Sequence, residues 1–192
     1  MMNRLAWLLS FLMLAACGGQ SASPPLAGAK LGGPFALTGE DGKIVRDTDF
    51  RGKYRLVYFG YTFCPDVCPV DVQRLMAGLK AFEKRDPARA AKIQPLFVSV
   101  DPERDTPAVL RQFTDAFHPR LIGLTGTPAE IAAVAREYGV YFQKAKGPSP
   151  DAYLVDHSRA TTLYGPEGAP IALVSEQRSP DEIAAELGHW VR

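Results

Sequence analysis

The chain has 192 residues, enough for one domain with a full hydrophobic core but too few for two ordinary domains behind a leader segment. Its 22 Lys+Arg against 21 Asp+Glu leave a net charge of +1 with both signs interspersed, which argues against recognition of nucleic acid or another polyanion. An apolar content of 46%, in short separate runs rich in Val, Leu and Phe, excludes an intrinsically disordered chain.

Residues 1–16 carry Arg4 and then an apolar run from Leu5 to Ala16, a signal-peptide pattern too short for a comfortable transmembrane helix. Leu14-Ala15-Ala16-Cys17-Gly18 resembles the bacterial lipobox, in which the cysteine is lipidated and becomes the first mature residue. Residues 17–33, rich in Gly, Ala, Ser and Pro and without periodicity, read as a flexible tether from the Cys17 anchor to a domain over 34–192. These features predict a periplasm-facing membrane lipoprotein. Gly18, where an aspartate would favour retention in the inner membrane, leaves the outer membrane open.

Within the domain, Pro34 to Leu37 and Lys43 to Val45 flank a glycine-bearing turn and predict a hairpin. Tyr54 to Phe59 is almost continuously apolar, the mark of a strand buried on both faces. From Asp66 to about Lys84, Val67, Val70, Leu75, Leu79 and Phe82 recur mainly at three- and four-residue spacing, which predicts an amphipathic helix. Ile93 to Val100 predicts the next strand. Asp105-Thr106-Pro107 then offers a cap and a first-turn proline for a helix ending near Phe117. A short strand at Leu121 to Leu124 precedes Thr127-Pro128-Ala129-Glu130, a capping-box start for a helix to Tyr138. Strands are predicted at Ala152 to Val155, Thr161 to Tyr164 and Ile171 to Val174, with a terminal helix from Ser179. Strands alternating with helices, then a closing hairpin and helix, describe an α/β sandwich of thioredoxin-like size and order, with an N-terminal β-hairpin and helices on both faces of a central sheet.

Cys64-Pro65-Asp66-Val67-Cys68-Pro69 sits where a buried strand turns into a helix. Unpaired amides at a helix start favour thiolate, which raises both nucleophilicity and metal affinity. Separation i, i+4 puts both sulfurs on one helical face. A structural disulfide is the default for paired cysteines in an exported chain, yet closing so short a loop contributes only about 2 kcal/mol, against roughly 4.7 for a hundred-residue loop. Redox or metal chemistry is the better use of these thiols. Soft thiolates select Cu(I) or zinc, and two sulfurs joined by an imidazole suit copper in either common oxidation state.

Tyr58-Phe59-Gly60-Tyr61-Thr62-Phe63-Cys64-Pro65-Asp66-Val67-Cys68-Pro69 resembles the signature of the Sco/SenC family of copper proteins. Ser99-Val100-Asp101-Pro102-Glu103-Arg104-Asp105-Thr106-Pro107 resembles the family's second motif, and Tyr153-Leu154-Val155-Asp156-His157-Ser158 its histidine motif. With Gly123-Leu124-Thr125-Gly126 between them, the similarity covers Pro34 to the C-terminus. The resemblance implies that Cys64, Cys68 and His157 hold one copper ion, Cu(I) or Cu(II), and that the two cysteines form a disulfide when oxidised and metal-free. His157, following a short strand that can run in the central sheet, would reach the start of the cysteine helix. Asp156 reads equally as an orienting group or an exposed carboxylate. Asp101, Arg104 and Asp105 read as structural before functional, with Asp105 helping to start a helix. His118 and His189, near helix ends, read as solvated. Tyr61 and Phe63 flank the cysteines as shields, partner contacts or packing.

What the resemblance further implies is a metallochaperone, not an enzyme, that serves copper-site assembly of cytochrome c oxidase. Its partners would be the oxidase copper-bearing subunit, a periplasmic copper donor or thiol reductase, and a membrane through the lipid anchor. The alternative is a thiol/disulfide oxidoreductase that uses Cys64 and Cys68 to keep the oxidase cysteines reduced. Against that stands CxxxC in place of the thioredoxin CxxC. A peroxiredoxin is disfavoured, since its motif would need proline and threonine or serine at Val57 and Tyr61 for Cys64, or at Tyr61 and Pro65 for Cys68.

Overall fold

The computed structural model describes residues 23–149 and 152–192. The predicted leader and Cys17 lie outside the described residues.

An N-terminal hairpin, β1 (Ala36–Gly39) and β2 (Ile44–Arg46), turns through Gly42 at φ +78°. A single 3-10 turn over Asp47–Phe50 leads into β3 (Tyr54–Gly60), followed by α1 (Val67–Arg85), the short α2 (Pro87–Ala90) and β4 (Ile93–Ser99). Next come α3 (Pro107–Asp115), β5 (Ile122–Thr125), α4 (Pro128–Glu137), β6 (Phe142–Ser149) and β7 (Ala152–His157). Strands β8 (Thr161–Tyr164) and β9 (Pro170–Leu173) and helix α5 (Pro180–Trp190) close the chain.

Seven strands form one sheet in the order β2-β1-β5-β4-β3-β8-β9. Strands β3, β4 and β5 run parallel, while β1 joins β5 and β8 joins β3 antiparallel. Every residue of β3 and β4 is buried, as expected of largely apolar runs, and the burial takes in Arg55, Gln94 and Ser99 as well. Consecutive side chains on β3 leave opposite faces. Tyr58 stacks on Phe97, which meets Phe113 of α3, whereas Phe59 packs on Tyr138 just past α4. Helices thus cover both faces, as expected.

Three helix starts follow the predicted chemistry. Thr127 and Ser179 form capping boxes with Glu130 and Glu182, and each of α3, α4 and α5 has a first-turn proline. The cap of α3 is Thr106, whose Oγ1 accepts from the Val109 amide at 3.4 Å. Asp105 does not cap; it is fully buried and serves a different purpose below. On α1 the buried face runs through Cys68, Val72, Leu75, Leu79 and Phe82, while Val70, placed there by the spacing, is 41% exposed.

The structure corrects the expectation in four further places. Strand β6 was not anticipated, because Lys144, Lys146, Gly147 and Pro148 read as loop composition; it pairs with β7 in a separate two-stranded sheet. The His157-bearing strand therefore lies outside the central sheet. Gly147 is needed at the irregularity in this ladder, since a Cβ there would fall 1.6 Å from the Ala152 carbonyl oxygen. Third, the described part of the predicted tether is laid on the domain. The Leu26 amide donates to Ile171 O at 3.0 Å, the Gly32 amide to Glu137 O at 2.8 Å, and Tyr138 OH to Gly33 O at 3.1 Å. Fourth, His118 is 3% exposed rather than solvated. Its Nδ1 accepts from the Arg120 amide and its Nε2 faces Glu83. His189 is exposed, edge-on to Trp190, as expected.

Candidate functional site

Strand β3 ends at Gly60, and residues 61–66 turn the chain into α1. A side chain at Gly60 would bring its Cβ within 2.7 Å of Tyr58 and 3.2 Å of the Cys68 sulfur. Glycine there leaves the space that Cys68 occupies. Asp105 fixes the turn from behind. Its carboxylate accepts from the Thr62 amide at 3.1 Å, the Thr62 hydroxyl at 2.6 Å and the Ser99 hydroxyl at 2.6 Å. Burial pushes this carboxyl above the usual range, while the Ser99 and Thr62 donors pull it back.

Cys64 and Cys68 are both free and both buried, at 9% and 0% exposure. The Cys64 sulfur accepts from the Cys68 amide at 3.5 Å, the helix-start contact that the spacing predicts. Burial acts to raise its pKa, but the amides of Cys68, Asp66 and Val67 outweigh it, and the thiol lies below its ordinary value. Cys68 behaves in the opposite way: burial, with the neighbouring Cys64, pushes it up to about 12.

His157, the last residue of β7, places Nε2 at 3.3 Å from the Cys68 sulfur. Its Nδ1 faces the Ser158 carbonyl oxygen at 3.0 Å, so Nδ1 carries the proton and Nε2 presents its lone pair to the sulfur. Burial lowers the imidazole pKa despite that carbonyl, which favours the neutral ring. Tyr58 and Tyr61 meet this ring edge-on, with centroids at 6.4 and 5.9 Å. Tyr61 is buried; Phe63 is 50% exposed.

The hairpin carrying His157 is closed at its base and tied to the domain near its tip. Tyr141 O accepts from the Ser158 amide at 2.9 Å, and Ser158 Oγ accepts from the Tyr141 amide at 3.0 Å. Tyr153 OH donates to the buried Asp101 at 2.6 Å. Arg104 pairs with the same carboxylate and lies 3.7 Å over the Tyr153 ring and 4.9 Å over Phe63. Asp101 and Arg104 thus form an ion pair that supports the hairpin, in line with the structural reading of these residues. Asp156 is exposed.

Sequence reasoning missed Asp71 and Arg159, which are joined by two hydrogen bonds next to this group. An acidic residue three positions after Cys68, on the buried stripe of α1, was the signal available.

Two sulfurs and a neutral imidazole make a soft, copper-compatible donor set. Among the described residues, however, no three Cys, His, Asp or Glu side chains already surround a common ion position. Cys68 and His157 are in contact, and Cys64 is turned to a backbone amide.

The SCO1/SenC family profile matches residues 23–192. The Arabidopsis thaliana mitochondrial SCO1 homolog 1 is 46% identical over 74% of this chain, and the chain spans only 42% of that protein. Copper-bound ScoI of Bradyrhizobium japonicum superposes with a TM-score of 0.76 at 42% identity, covering 84% of this chain and 99% of that one. BsSco, described as a member of the Sco family of cytochrome c oxidase assembly proteins and as carrying a disulfide switch, superposes at 0.63 with 26% identity, over 88% and 96% of the two chains.

Proposed function

Because this chain belongs to the SCO1/SenC family, we propose that it is a copper carrier for the assembly of cytochrome c oxidase, taking one ion on Cys64, Cys68 and His157. The observation that carries this reading is the approach of His157 Nε2 to the Cys68 sulfur, with Nδ1 engaged by Ser158 O. The pair offers a lone pair and a sulfur from two separate elements to one small volume. Capture then draws the Cys64 sulfur from the Cys68 amide toward that pair. Two thiolates satisfy Cu(I), and the harder imidazole helps to retain Cu(II). Cys17 would hold the protein to a membrane facing the periplasm, most readily the inner membrane where an oxidase is assembled. The oxidase copper-bearing subunit would receive the ion, and a periplasmic donor or thiol reductase would prepare the site.

Thiol/disulfide exchange is the second reading. Its supporting observation is the placement of two free thiols at the start of α1, with the Cys64 sulfur on the Cys68 amide at 3.5 Å; backbone amides lower Cys64 there while burial holds Cys68 up. The disulfide of the oxidised, metal-free form belongs to either reading.

Copper titration of the reduced protein, followed by visible absorption, separates them. Stoichiometric Cu(II) binding with a thiolate charge-transfer band is expected, and either His157→Ala or Cys64→Ser should abolish that band. Unchanged binding in both variants, or no binding by fully reduced protein, would overturn the three-ligand site and leave thiol exchange as the function.

A further inference from the structure

Asp71 stands three residues beyond Cys68 on α1 and is completely buried. Its carboxylate accepts two parallel hydrogen bonds from Arg159, Nε at 3.0 Å and Nη2 at 2.8 Å, and a third from Tyr58 OH at 3.1 Å. Arg159 lies two residues beyond His157, on the three-residue link between β7 and β8. The carboxylate therefore joins the cysteine helix, the central strand β3 and the link that follows the histidine.

This geometry answers a question left by the fold. His157 sits at the end of a hairpin that has no ladder to the central sheet. The Tyr153–Asp101 bond holds that hairpin four residues upstream of His157. Downstream, the Ser158–Tyr141 bonds close the hairpin on itself, and Arg159 is the residue that ties this side to the cysteine helix. Cys68 and Asp71 share one helix, so their separation is rigid. An arginine fork fixes direction as well as distance, which a single point charge does not. Tyr58 adds to the same arrangement, since its hydroxyl bonds Asp71 while its ring meets His157 edge-on.

We propose that the Asp71–Arg159 fork is a clamp that holds the His157 imidazole against Cys68, which makes Arg159 a positioning residue of the copper site. The proposal rests on the copper reading above. It assigns to Arg159 no contact with the ion. An ordinary structural ion pair at this place would affect stability and leave copper affinity and the histidine tautomer unmoved.

The test compares the parent protein with Arg159→Gln, Asp71→Asn and the double variant. Copper(I) dissociation constants come from chelator competition, Cu(II) binding from the charge-transfer band, and the metal-free His157 tautomer from nitrogen-15 NMR of the ring. Each single change is expected to weaken copper binding about 10- to 100-fold, the range usual for groups that orient a metal-binding histidine. The double variant should lose no more than the weaker-binding single one, because the two groups act as a unit. Arg159→Lys, which restores the charge without the fork, should fall between. In the metal-free variants the Nδ1-protonated ring should give way to a mixture of tautomers. Asp71→Asn retains the size of the buried group and carries the test should Arg159→Gln fail to fold. Folded variants with copper affinity within twofold of the parent, the parent band and the parent tautomer would overturn the clamp. If the parent itself binds no copper, the carrier reading fails, and the tautomer measurement still decides whether the clamp exists.

Discussion

Asp105 is fully buried and accepts hydrogen bonds from both the amide and the hydroxyl of Thr62, two residues before Cys64. Nothing about its position in the chain suggests this, since the link spans 43 residues. Replacement by alanine leaves the Thr62 amide and the Ser99 hydroxyl without this partner inside the protein. An unsatisfied buried donor costs about 1–3 kcal/mol, so Asp105→Ala should lower the urea-unfolding free energy by that amount at neutral pH. A loss below about 0.5 kcal/mol, the range of an ordinary surface change, would show that the turn before Cys64 stands without it. The sign of its pKa shift sets the choice of pH. A carboxyl raised by burial binds its proton more readily in the folded state, so its ionisation weakens the fold as pH rises from its unfolded value through its raised one. Measurement at neutral pH therefore reads the hydrogen bonds of the ionised group against a native state that already carries this cost.

At the level of elements, helix α1 organises the protein: its first two turns hold Cys68 and Asp71, and its middle receives α5. Gly78 permits that approach. A Cβ on this residue would stand 2.3 Å from Ile183 Cγ2 and 3.3 Å from the Pro180 carbonyl oxygen. Gly78→Ala gains helix propensity but forces the two helices apart, and overpacking of this kind costs about 1–3 kcal/mol. Chemical denaturation should show that net loss, and the double variant with Ile183→Ala should lose less than the sum of the two single changes, since the truncated side chain removes the clash; a more stable Gly78→Ala would mean that α5 shifts freely. The three- and four-residue spacing showed where α1 runs, because an amphipathic stripe is a local property. The capping box at Thr127 and the helix start at Ser179 were legible for the same reason. Strand β6 was not legible, since its pairing with β7 overrides the loop-like Lys, Gly and Pro of its own sequence. The placement of His157 was legible only in part. Its residue type and motif stood in the sequence, but the sheet that carries it needs a partner strand whose own sequence reads as loop, and the Asp71–Arg159 tie joins residues 88 positions apart.

Across the whole molecule, a second polar cluster joins α1 to the segment entering β5 and to the start of β4. Glu83 of α1 pairs with both His118 and Arg120, and Arg120 Nη1 also donates to Ile93 O at 2.7 Å. With Nδ1 accepting from the Arg120 amide, His118 must carry its proton on Nε2 and be neutral to satisfy both contacts. Burial lowers its pKa below 6.5, Glu83 opposes that, and Arg120 and Lys80 add to it. The folded state thus binds fewer protons than the unfolded chain over this range. Stability attached to neutral His118 is complete above pH 6.5 and is lost as pH falls from there through the depressed folded value. The lowered Glu83 has the same direction but acts lower, below about 4.5. His157 is also lowered and would add its own slope, so the contribution of His118 must be read as a difference. Glutamine is the suitable replacement, because its amide can donate to Glu83 and accept from the Arg120 amide without titrating near neutrality. Urea-unfolding free energies of the parent should fall between pH 7 and pH 5 more steeply than those of His118→Gln, with the two curves parallel above pH 7. Curves that stay parallel down to pH 5 would show that His118 gains its proton without breaking the cluster, and that this contact between α1 and the sheet tolerates a buried cation.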